Sequence, residues 1–370
     1  MRLITLAIHT YDHALELKQT LEAEGINVTL QNVNLERPEV ASGVRVRISE
    51  KDLPLALRIV ENPDMFIHEN ASTTLSTGRS VLVPIDFTEH SLAAVDVAVR
   101  LAQMKKVDIH FLHSYIDPRL SGAGALTDRL TFDYPDSAEG SEHAMQAREL
   151  MKKFADNLRE KMKRGEIPVT RFSTQIIEGV PEDAINSYSK SHIPYLIVMG
   201  TRTSAQKDAD MIGSVTASIF DSSRYPVLSI PANTDFSTFA NPSNILFFSN
   251  LDQEDIIAID TLYRLFPNSS AKVTIAHIPG RSSFTDFFTT KSAMALSDYC
   301  SKAFSHFSFR TIPLSRANAA ERIREEQNKE NFDLVVVTNR RKNAFARLFN
   351  PGVAYKLAFS ADIPTLLIPV

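Results

Sequence analysis

The residues best suited to hold an anion are Gly200, Thr201, Arg202 and Thr203, followed after nine residues by Gly213, Ser214, Val215 and Thr216. Glycine is scarce, 12 of 370 residues, well under the usual share of about 7%. Gly200 directly after an apolar run and Gly213 directly before a helical one are therefore pointed placements. Gly200 lets a backbone turn sharply and approach a ligand closely. Gly213 and Ser214 open a helix whose free N–H groups and positive dipole end attract phosphate, with hydroxyls as further donors. A plainer reading is that Gly200 ends a strand and Ser214 caps a helix, and the spacing leaves both open.

Other chemistry finds little support. The sequence has no Walker-type phosphate loop, no Gly-x-Gly-x-x-Gly after a strand and no Gly-x-Ser-x-Gly elbow. No pair of carboxylates stands out as acid and base. His113 and His277 fall at equivalent strand ends, where a structural hydrogen bond suits them better than catalysis. His9 and His13 fall on different elements and imply no shared metal face. The single cysteine, Cys300, excludes an intrachain disulfide and reads as buried filler in a reducing, cytoplasmic setting. With 40 Lys and Arg against 44 Asp and Glu, no global field favours nucleic acid or an anionic membrane. The longest apolar runs are strand-sized, far short of the roughly 20 residues a bilayer requires.

The elements that must position these groups fall into three segments. Residues 1–65 read as a small α+β unit: strands at Leu3–Ile8, Val28–Gln31 and Val44–Ile48, and helices at Asp12–Glu24 and Glu50–Glu61. Ala14, Leu17 and Leu21 share one face, and Ser49 with Asp52 makes a capping box. The order resembles a small PII-like signal-transducing module with a ferredoxin-like βαββα pattern. A polar linker at 66–78 precedes a region that repeats.

The repeat is visible in the numbering. Val81–Val83 and Ile109–His113 recur as Ile245–Phe247 and Val273–His277, so one constant offset carries both strands. Leu196–Met199 and Pro226–Pro231 recur as Leu334–Val337 and Pro364–Pro369, again at a constant but shorter offset. The shortening means that the first copy carries an insertion, which belongs in the Gly, Asp, Ser and Pro-rich stretch around Asp117–Glu142. Continuous Val/Ile/Leu strands alternating with helical patterns predict a doubly wound parallel sheet. One helix starts near Glu89, with Thr88 as N-cap and Leu92, Val95, Val99 and Ala102 as its buried stripe.

Residues 79–232 resemble a universal stress protein domain, whose ATP-binding members carry Gly, two residues, Gly, nine residues, then Gly with Ser or Thr. Gly200, Gly213 and Ser214 keep that frame, whereas Thr203 replaces the second glycine. Val83, Pro84, Ile85, Asp86, Phe87 and Thr88 resemble the family's first strand end, where the Asp contacts adenosine. Phe111, Leu112, His113 and Ser114 resemble the second, where the residue after His lines the adenine pocket. Glu178, Gly179, Val180 and Pro181 are similar to the turn into the third helix.

Residues 243–370 resemble the same family, but the glycines fall on Thr338, Arg341 and Pro351 and the Asp on Asn250. Pro351 lacks the N–H that a phosphate would take. The resemblance implies a cytoplasmic, non-catalytic tandem universal stress protein, its two Rossmann-like α/β domains pairing through their last strands as a pseudo-dimer. It also implies ATP or another adenine nucleotide in the first domain, with Mg²⁺ carried on the phosphates, and an output through a protein partner. Pro84 and Asp86 would meet the nucleoside, Ser114 the base, and Gly200, Thr203, Gly213, Ser214, Val215 and Thr216 the phosphates. A nucleotide-independent interaction scaffold and a homodimer of the whole chain stay open beside it.

Overall fold

The computed structural model describes residues 2–9, 11–32, 44–61, 80–116, 142–201, 214–234, 236–249, 251, 253–277, 285–314, 319–339 and 363–370. The insertion expected around 117–142 lies mostly outside them.

The first unit runs β1 (Leu3–His9), α1 (Tyr11–Ala23), β2 (Thr29–Asn32), β3 (Val44–Ser49), a 3-10 turn at Glu50–Asp52 and α2 (Leu53–Glu61). β3 lies between β1 and β2 and is antiparallel to both. Its core is Ala14, Leu21, Ile26, Val28, Val44, Val46, Ile48, Ala56 and Ile59. The expected capping box does not form, since Ser49 is buried at the end of β3, paired with Leu3, and its side chain caps nothing.

The rest builds one ten-stranded sheet. Its first half comprises β4 (Ser80–Pro84), α3 (Glu89–Lys105), β5 (Asp108–Tyr115), α4 (Glu142–Lys163), β6 (Phe172–Glu178), α5 (Pro181–His192), β7 (Leu196–Thr201), α6 (Ser214–Ser222) and β8 (Val227–Pro231). A short helix, α7 (Phe236–Ala240), connects to the second half. There follow β9 (Asn244–Phe248), α8 (Glu254–Leu265), β10 (Lys272–His277), α9 (Thr285–Ala303), β11 (Ser308–Pro313), α10 (Ala319–Glu330), β12 (Leu334–Asn339) and β13 (Thr365–Pro369).

The strand order is β11-β10-β9-β12-β13-β8-β7-β4-β5-β6, so each half has its first strand central and its last strand innermost. All neighbours are parallel except β13 and β8, which meet antiparallel through Thr365–Ser229, Leu366–Leu228 and Leu367–Val227. Strands buried on both faces explain the unbroken apolar runs. Alternation puts Val81, Val83 and Phe111 on the sheet face covered by α3, α4, α8 and α9. Leu82, Leu112 and Ile197 lie on the opposite face, covered by α5, α6 and α10.

The stripe on α3 is turned from the expected one. Val95, Val99 and Ala102 are buried, but Leu92 is 42% exposed. The buried face is centred on Ser91, Ala94, Val95, Ala98 and Ala102. Leu92 lies about 100° round the helix from Ser91 and falls off its margin.

Candidate functional site

From β4 the chain moves outward to β5 and β6, then returns to β7 and β8 on the other side of β4. The strand order thus reverses between β4 and β7, and the crevice beyond their carboxyl ends is where an open parallel sheet takes a ligand.

Asp86 is the first exposed residue past β4. The Ile85 amide still donates to the Leu112 carbonyl at 2.8 Å, so the ladder persists up to that point. Asp86 Oδ1 then accepts from the Thr88 amide at 3.0 Å and from the Thr88 hydroxyl at 2.6 Å. Phe87, between them, takes a left-handed φ of 62°. Thr88 caps α3 as expected, accepting from the Ser91 amide at 3.4 Å. Ser91 closes the loop, its hydroxyl donating to the Thr88 carbonyl at 3.1 Å and accepting from the Asp86 amide at 3.4 Å.

Partial burial works to raise the Asp86 carboxyl. The Thr88 and Ser91 hydroxyls and the Thr88 and Asp86 amides outweigh it, so the group titrates below its ordinary value. The result is an ionised carboxylate with one oxygen fixed on Thr88, a group chemically able to accept from a ligand's hydroxyl or amino groups.

His113, at the end of β5, supports the same turn. Its Nδ1–H donates to the Ile85 carbonyl at 2.8 Å, and its ring lies 4.6 Å from that of Phe87. This is the structural bond expected for it. His277 makes the matching bond to the Ser249 carbonyl at 3.0 Å.

Gly200 sits in β7 opposite Ile230 of β8. The close approach it permits is to α3, not to a ligand: a Cβ there would overlap the His90 carbonyl and lie 2.8 Å from the Ser91 amide nitrogen. The glycine therefore lets the first turn of α3, and with it the Thr88 and Asp86 turn, settle onto the end of β7. Pro84 and Ser114 are half-buried at the end of β4 and in β5, opposite Leu112 and Ile177 respectively.

Beyond β7, α6 begins at Ser214, with Val215 half-buried and Thr216 buried. Thr203 and Gly213 lie outside the described residues. Pro84, Asp86, Ser114 and Gly200 thus share one end of the sheet. Sequence reasoning missed Ser91, whose signal is a hydroxyl three residues past the N-cap Thr88.

Residues 78–231 match the Universal stress protein family. A universal stress protein from Archaeoglobus fulgidus DSM 4304 is similar in fold, with a TM-score of 0.55 at 16% identity, covering 78% of this chain and 98% of its own. A putative universal stress protein from Pseudomonas aeruginosa UCBPP-PA14 gives a TM-score of 0.47 at 14% identity, over 79% of this chain and 93% of its own. A universal stress protein in complex with cAMP gives 0.29 at 18% identity, over 42% of this chain and 98% of its own. Among proteins with curated descriptions, none matches the sequence. Within the matched residues, the first strand end holds an ionised carboxylate fixed by hydrogen bonds. Among the described residues, no helix is long and apolar enough to cross a membrane.

Proposed function

We propose that the universal stress protein domain, residues 79–232, binds ATP or a related adenine nucleotide and acts without catalysis. The observation that carries this reading is the Asp86 carboxylate, ionised and pre-set by Thr88 at the β4/β7 switch point. Asp86 accepts from the ribose hydroxyls or the adenine amino group, with Pro84 beside it and Ser114 lining the base. Ser214, Val215 and Thr216 meet the phosphates at the start of α6, with Thr203 and Gly213 joining them by the family's sequence frame. Gly200 acts one step removed, by seating α3 against β7. Mg²⁺ travels on the phosphate oxygens and water.

Residues 243–370 are read as a second, degenerate domain of the same kind. Its strand order mirrors the first, and the fold likeness to the Archaeoglobus protein covers 78% of the chain, more than the first domain alone. Residues 1–65 serve as a signal-transducing module, and the chain as a cytoplasmic stress-response regulator acting through a protein partner.

Calorimetry of the full chain with Mg-ATP tests this. The expected result is one site, weakened about 30-fold in Asp86→Ala, the effect of losing about 2 kcal/mol of charge-assisted hydrogen bonding. No heat from the parent overturns the nucleotide reading and leaves a nucleotide-independent scaffold.

A further inference from the structure

A second cluster lies on the α5 face of the sheet, near the amino end of β5 and remote from the strand ends of the nucleotide crevice. His110 on β5 and His192, the last residue of α5, have ring centroids 6.1 Å apart. Tyr188 stacks on His192 at 3.9 Å with planes 7° apart, and its own ring is 6.1 Å from His110. Far apart in the chain, the two histidines meet because α5 crosses back over β5.

Each imidazole has the same nitrogen committed. His110 Nδ1 pairs with the Ser173 hydroxyl on the adjoining strand β6. His192 Nδ1 donates to the Tyr188 carbonyl at 3.1 Å, and the Ser191 hydroxyl also lies 3.0 Å from it. Imidazoles that ligate metals show this arrangement, in which a hydrogen bond at one nitrogen fixes the tautomer and offers the other nitrogen's lone pair.

We propose that His110 and His192 bind a divalent transition-metal ion of the imidazole-preferring class, Zn²⁺, Ni²⁺ or Cu²⁺, through their Nε2 atoms. A bond of about 2.1 Å sets the ion roughly 3.2 Å from each ring centroid, so rings 6.1 Å apart can share one ion. Closing to a tetrahedral angle brings the rings about 1 Å nearer, a movement open to His192 because it is exposed.

Metal binding requires both rings neutral. Asp108 stands two residues before His110, on the same strand face, and adds negative potential to the site; Arg171 offsets part of it from 3.5 Å. Among the described residues no group of three or more His, Cys, Asp and Glu is placed to hold a metal, so water completes the coordination. The ion would clip the end of α5 to β5 and stabilise the fold by mass action.

The test uses the full chain, titrated with Zn²⁺ alone by calorimetry and with Cu²⁺ followed by electron paramagnetic resonance. One ion per chain is expected, with nitrogen hyperfine coupling from two imidazoles and a raised Tm. His110→Ala and His192→Ala should each abolish that coupling, and Ser173→Ala should weaken binding about tenfold. His9→Ala, which removes a second close histidine pair among the described residues, at 6.4 Å, should change nothing. Because His192 is exposed, its variant stays folded and remains informative if His110→Ala does not. Absence of binding in the parent, survival of the two-nitrogen signal in His192→Ala, or its loss in His9→Ala would each overturn the proposal. Nucleotide binding is independent of every one of these outcomes.

Discussion

The two halves of the large sheet share a scaffold and differ where a ligand would sit. Phe87 and Leu251, equivalent positions by the first repeat offset, are both left-handed, at φ 62° and 58°. Ile193 and Asn331, equivalent by the second, repeat the pattern at 43° and 48°. Such conformations cost a non-glycine residue about 1–2 kcal/mol, so their recurrence at the offsets of the sequence repeat marks a common backbone path. The His113 and His277 bonds recur likewise.

Around this frame the polar groups change. Ser91 of the first half is Asp255 in the second, buried and taking the Ser249 hydroxyl at 2.6 Å. Gly200 becomes Thr338. With no side chain at Gly200, α3 packs on β4, β7 and β8; α8 packs instead on β13, α9 and, on its outer side, α2 of the N-terminal unit. The backbone conformation and the histidine bond at the strand end recur, whereas the residue that decides how closely the helix seats differs.

The sharpest way to break this comparison is to add a side chain at the first position and remove it at the second. Gly200→Val should destabilise the first half by about 3 kcal/mol, because the clash is with backbone that cannot turn aside. Thr338→Gly should cost only about 1 kcal/mol, the usual penalty of a strand glycine. Hydrogen exchange at β7 and β12 reads both. A neutral Gly200→Val would mean that something other than this contact seats α3.

A smaller effect is expected at the joint specific to the second half. Arg58 of α2 reaches Asp260 of α8 at 2.7 Å and the Thr261 hydroxyl at 3.2 Å, and Arg264 holds the same carboxylate at 2.8 Å. Arg58→Ala should weaken docking by about 2 kcal/mol. Exchange should rise in α2 and the outer face of α8 and stay unchanged in α3. Faster exchange in α3 would tie the N-terminal unit to the first half as well.

The smallest effect concerns Lys105, where the halves touch. Its Nζ donates to the Arg264 carbonyl at 3.1 Å, and burial pushes its pKa from 10.5 down to about 8. Between these values the unfolded chain holds a proton that the folded chain has released, so this group makes stability rise as pH increases from about 8 to 10.5. Tm measured across that window should climb in the parent and flatten in Lys105→Met. Equal slopes would show that the ammonium is not desolvated.

Much of this was legible in the residues. The strand runs, the two offsets, the Thr88 cap and the roles of His113 and His277 follow from local propensity and periodicity. At the crevice, Asp86 was marked only by the resemblance of the first strand end to the family's, whereas its fixing by Thr88 and Ser91 is local. The partner of Gly200 was not legible, since a glycine says that something comes close without saying what. Nor was the His110 and His192 pair, because neither position carries a motif and only the crossing of α5 over β5 unites them.

What the sequence alone determined is the set of elements and their recurring order, since hydrophobic period and capping act within a few residues. Tertiary structure decided which way α3 is turned, leaving Leu92 in solvent. It decided that α2 rests on α8, through a contact between Arg58 and Asp260. These depend on which distant segment arrives to cover a surface, and burial by a distant partner leaves no periodic trace in the residues being covered.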